Sequence, residues 1–104
     1  MGKKRKQKNR SVVRSAKDNY ERGMDHCFNE ENFDAALKYL LIAAKSEYKP
    51  AYGEIGIILN REKNESDRAE EWFKKAEKES SLFPLAAYEY GMLLYLVRIE
   101  NPYP

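Results

Sequence analysis

Residues 69–76 read Ala-Glu-Glu-Trp-Phe-Lys-Lys-Ala, and residues 36–43, 33 positions earlier, read Ala-Leu-Lys-Tyr-Leu-Leu-Ile-Ala. Both stretches place alanine at either end and an aromatic followed by a large apolar residue between them. The spacing recurs elsewhere. Gly23 to Gly56 is also 33 residues, while Gly56 to Gly91, Ala51 to Ala86, Glu54 to Glu89 and Leu59 to Leu94 are each 35. Glycine inside a helix costs about 1 kcal/mol against alanine, so three glycines at one repeat position call for a packing reason. Small residues let two helix backbones approach, and a large side chain beside them fills the remaining space. A period in the low thirties is the mark of a stacked helix-pair repeat.

Working outward, the apolar residues recur at three- and four-residue steps in five segments. Val12, Val13, Ala16, Tyr20, Gly23, Met24, Cys27 and Phe28 form the first, from about Ser11. Asn32 is placed to cap the second, which carries Phe33, Ala36, Leu37, Leu40, Leu41, Ala43 and Ala44. Pro50 opens a third, from Ala51 to about Leu59, since proline fits a first helical turn. Ser66 or Asp67 is expected to cap the fourth, with Ala69, Trp72, Phe73 and Ala76. Pro84 opens a fifth, from Leu85 to about Ile99, stopped by Pro102 and Pro104. Nothing alternates with period two. The expected fold class is all-α: a short helix-hairpin solenoid of about two and a half repeats and five helices over residues 11–100, with residues 1–10 as a disordered basic arm and residues 101–104 as a proline-containing tail.

The junction from Ala43-Ala44 to Pro50-Ala51-Tyr52-Gly53-Glu54-Ile55-Gly56, together with the stretch at 69–76, resembles the tetratricopeptide superfamily and, within it, the Sel1-like branch. The resemblance covers roughly residues 16–96. The branch's glycine-rich loop is replaced by Asn60-Arg61-Glu62-Lys63-Asn64-Glu65, and the second junction is two residues longer than the first, as in ordinary tetratricopeptide repeats. The resemblance implies a scaffold that binds peptides or protein surfaces along a groove lined by the first helix of each repeat. On that basis Tyr20, Glu54, Tyr88 and Glu89 are the candidate partner-binding residues.

The 104 residues are room for one domain, and no stretch approaches the roughly 20 apolar residues of a membrane span. No apolar core of a secretory signal follows the charged start, so the expected address is cytoplasmic. The single cysteine excludes an internal disulfide and a multi-cysteine zinc site. The net charge of +2 conceals an asymmetry: residues 1–22 carry nine Lys and Arg against Asp18 and Glu21, whereas the remainder is acidic on balance. Lys3, Lys4, Arg5, Lys6, Lys8 and Arg10 are candidates for anion or nucleic-acid contact, and the run at 3–6 would also serve as a nuclear-import pattern in a eukaryotic or viral setting. Such binding would be salt-sensitive and blind to sequence, and no aromatic residue interleaves the run to stack on bases.

No catalytic constellation, metal spacing or phosphate loop is legible, and no cofactor is expected. His26 and Cys27 are neighbours in a helix and project about 100° apart, away from a common site. They are expected as a surface histidine and a half-buried thiol, and Trp72 and Phe73 as core. The fifth segment is different in kind. From Leu85 to Val97 its only charge is Glu89, and apolar residues cover nearly all sides. A helix apolar all round seeks burial all round. Met92, Leu93, Tyr95 and Leu96 are therefore the expected face for a second copy or another protein. The overall expectation is a non-enzymatic protein-binding module, with nucleic-acid association through residues 3–10 as the alternative.

Overall fold

The structure, a computed structural model, describes residues 2–100, with side chains at residues 15–97 and at Ile99. Among these residues there are five α-helices and no strand: α1 (Gly2–Asn29), α2 (Phe33–Lys45), α3 (Pro50–Arg61), α4 (Ser66–Lys78) and α5 (Pro84–Glu100). The all-helical class and the helix count agree with the sequence pattern. Pro102, Tyr103 and Pro104 lie outside the described residues.

Two local expectations change. Where a disordered arm was expected over residues 1–10, the backbone is helical from Gly2. Lys, Arg and Gln are good helix formers, and neither glycine nor proline interrupts residues 3–22. The N-cap of α4 is Glu65 rather than Ser66 or Asp67. Glu65 makes no side-chain capping bond and instead accepts from Arg68 Nη1 at 3.1 Å. The cap of α2 is as expected, with Asn32 Oδ1 accepting from the Ala35 N–H at 3.2 Å.

The chain divides into two compact units, one ending at Ala51 and one beginning at Tyr52. In the first, α1 lies so close to α2 that a Cβ on Gly23 would stand 2.8 Å from Leu40 Cγ and 3.0 Å from the Ala36 carbonyl. Leu40, Ala36 and Ala43 are fully buried there, and the rings of Tyr20 and Tyr48 meet at 5.2 Å. In the second unit a Cβ on Gly56 would come within 2.5 Å of the Phe73 ring, and one on Gly53 within 2.8 Å of Ala86 Cβ. Phe73 is wholly buried and stacks on Tyr90 at 5.3 Å. Trp72, half-buried, packs its ring 6.0 Å from that of Tyr52, and the Lys75 ammonium caps both rings.

The 33-residue period recurs in the backbone itself. Each of the four loops turns through one non-glycine residue of positive φ: Glu31, Glu47, Asn64 and Ser80. Glu31 and Asn64 are one period apart, as are Glu47 and Ser80. Tyr48 N–H donates to the Ala43 carbonyl as α2 ends, and Ser81 N–H donates to the Ala76 carbonyl as α4 ends. Asn32 N–H to the His26 carbonyl is matched in the same way by Glu65 N–H to the Leu59 carbonyl. These bonds satisfy carbonyls that a helix end leaves without partners. Left-handed residues other than glycine are costly, so their recurrence at one period reflects a turn geometry held by these closures.

Candidate protein-binding face

Helix α5 is fixed on one side by Ala86, Glu89, Tyr90 and Leu93, all buried. These positions are three and four residues apart and share a face. Tyr90 packs on Phe73, and Ala86 closes on Gly53. Glu89 belongs to this anchored side. Its Oε1 accepts from Arg61 Nε at 2.8 Å and lies 2.5 Å from Arg61 Nη2 in an ion pair, so the carboxylate enters the unit with its charge matched. A buried carboxylate without such a partner would be strongly destabilising.

The opposite side of α5 has no cover among the described residues. Tyr88 is 62% exposed, Tyr95 58%, Leu96 50%, Leu94 41% and Met92 39%. Ala87 and Gly91 lie between them and are exposed as well. The result is an exposed apolar face along most of the helix.

The expected site residues are therefore divided by the structure. Met92, Tyr95 and Leu96 stand on the open face. Leu93 does not: it is buried at 5% exposure, because a one-residue step along a helix turns a side chain by about 100° and carries it to the anchored side. Leu94, its neighbour, occupies the open face instead. Of the groove candidates, Tyr88 is exposed on the same face as Tyr95, and Glu89 is withdrawn from any groove by its pairing with Arg61. The signal for that pairing was Arg61 itself, near the end of α3, but sequence spacing says nothing of which carboxylate a long side chain reaches.

Glu54 is half-buried on α3, where every other residue from Ala51 to Leu59 is buried. It has no hydrogen bond or ion pair among the described residues, and burial raises its carboxyl pKa above the ordinary glutamate value. Tyr20, in the first unit, is half-buried against Tyr48. Lys3, Lys4, Arg5, Lys6, Lys8 and Arg10 lie on the helical backbone of α1, but their side chains are outside those described.

His26, expected at the surface, is three-quarters covered. Its ring stacks flat on Tyr39 at 5.3 Å, and Nδ1 is 2.8 Å from Glu30 Oε2. Cys27 is half-buried, as expected. An open depression at the start of α4 is lined by Asn64, Glu65, Ser66, Asp67 and Arg68, of which Glu65 and Arg68 are already paired. Among the described residues no three or more His, Cys, Asp or Glu converge as metal ligands, and no helix is long and apolar enough to cross a membrane. Comparison with known proteins adds no relative: no family model matches the chain, and neither does any curated protein or solved structure.

Proposed function

We propose that this chain is a non-enzymatic binding module, a short helical repeat of the tetratricopeptide kind, whose partner is a protein docked on the open face of α5. The observation that carries the reading is that face: half-exposed tyrosine, leucine and methionine side chains on one side, while Glu89, the single carboxylate between Leu85 and Val97, is turned inward and neutralised. Exposing it to water has a free-energy cost that scales with apolar area, and a docked partner would recover it. The repeat assignment is supported by the resemblance of residues 43–56 and 69–76 and by the 33-residue recurrence of turn geometry and closing hydrogen bonds.

The test is capture from native lysate by the immobilised chain and by the double variant Tyr88→Glu with Tyr95→Glu, each with and without nuclease. The expected result is a protein retained after nuclease treatment and lost from the variant. Retention unchanged by the variant removes α5 as the binding face. Retention lost with nuclease and with raised salt assigns the function to the basic segment and nucleic acid instead.

A further inference from the structure

The three repeat glycines meet three different fates. Gly23 is filled by Leu40, and Gly56 is filled by Phe73. Each filling residue lies 17 positions after its glycine, on the helix that follows. A Cβ on Gly91 would meet nothing within 4 Å. The residues around it behave alike. Ile57 and Leu59, on either side of Gly56 on α3, are 7% and 0% exposed. Their equivalents on α5, Met92 and Leu94, are 39% and 41% exposed. The anchored positions, by contrast, match: Ile55 and Ile58 are buried, and so are Tyr90 and Leu93. Helix α5 thus repeats both faces of α3, with one face occupied and the other vacant among the described residues.

From this we infer that the vacant face is a socket for a helix, and that its occupant is α5 of a second copy, crossing at Gly91 about a two-fold axis. The inference rests on the reading of α5 as a binding face and names the partner. Three features favour a second copy. The first is self-complementarity. Tyr88 lies three residues before Gly91 and Tyr95 four after, so one surface holds a gap at its centre and a large ring one turn away on each side. A two-fold interface pairs a surface with itself, and this arrangement places knobs beside holes under that operation. The second is charge. From Leu85 to Val97 no charged side chain stands on this face, because Glu89 is bound to Arg61, so two copies meet without like-charge repulsion. The third is area. The half-exposed large side chains leave on the order of 500 Å² of apolar surface in water. Two copies would together bury on the order of 1,000 Å², which reaches the lower bound of a specific interface and fits a reversible dimer.

Sedimentation equilibrium from low to high micromolar concentration tests this on the full chain, with Gly91→Gln and Tyr95→Glu as variants. Gln is a good helix former and its Cβ would meet nothing within 4 Å among the described residues, so Gly91→Gln is expected to keep the fold while its longer side chain blocks close approach. The expected result is a reversible wild-type dimer whose association is weakened by at least about tenfold in each variant, with helical circular dichroism unchanged. A dimer indifferent to both substitutions overturns the inference. A wild-type monomer at every concentration overturns it too, and the binding of a hydrophobic dye then separates the two readings. Dye bound by the wild type and lost in Tyr95→Glu leaves α5 a docking face for a different protein, whereas no dye bound by the wild type removes the proposed function as well.

Discussion

At the scale of single residues, the three repeat glycines separate what a small side chain is for from where it occurs. Gly56 faces Phe73, a ring wholly buried and held by Tyr90, so the ring has no room to yield to a new Cβ 2.5 Å away. Overpacking of this kind costs about 1–3 kcal/mol, and the better helix propensity of alanine returns about 1 kcal/mol at most. Gly56→Ala is therefore expected to lower stability by roughly 1–2 kcal/mol in urea denaturation. Gly91→Ala meets nothing and is expected to raise monomer stability by up to about 1 kcal/mol, measured at concentrations too low for association. Opposite signs for one substitution at equivalent positions would show that occupancy, rather than the helix, sets the cost. Equal signs would contradict the vacancy at Gly91.

At the scale of elements, α5 is the helix whose sequence says least about its orientation. Apolar residues on every side give its pattern no polar stripe to mark the outside. Its existence and start at Pro84 were legible from proline and composition, but which leucine faces inward was not. Leu93 and Leu94 are chemically identical neighbours, and only the contacts made by Ala86, Glu89 and Tyr90 decide between them. Leu93→Glu is accordingly expected to unfold the chain or cost more than about 3 kcal/mol, since it buries an unpaired carboxylate. Leu94→Glu, on the open side, is expected to stay within about 0.5 kcal/mol of the wild type. Thermal melts followed by circular dichroism distinguish the two, and equal loss in both variants would mean that α5 has no open side. The cap of α4 teaches a related lesson. Ser66 and Asp67 are good capping residues by type, yet the period carries the cap from Asn32 to Glu65, and Glu65 holds that position without making the capping bond.

At the scale of the whole molecule, stability against pH carries the signature of Glu54. Burial raises its carboxyl pKa, and no partner among the described residues offsets it. A raised folded-state pKa means that this group's favourable contribution is complete below the ordinary glutamate value and is lost as pH rises through the raised one. Near neutrality the charged carboxylate is therefore a liability. Glu54→Gln is expected to be more stable than the wild type there by roughly a few tenths of a kcal/mol, the small size reflecting partial solvent screening. The difference should shrink on acidification through that window. A difference that is constant with pH, or that reverses sign at neutrality, would indicate that Glu54 is held by a favourable partner when charged.

What the sequence determined by itself is what depends on neighbours along the chain: the helical periodicity, the breaks at Pro50 and Pro84, the cap at Asn32 and the 33-residue period with small residues at fixed places. The first three are short-range properties, set within one or two turns of helix, and the period is their repetition along the chain. The tertiary structure alone decided which side of α5 is anchored, that Glu89 is neutralised by Arg61 from 28 residues away, that His26 lies under Tyr39, and that of three equivalent glycines Gly91 alone is left open among the described residues. These depend on which distant side chains fill a given space, and a repeat pattern records that a helix has two faces without recording which of them has found its cover.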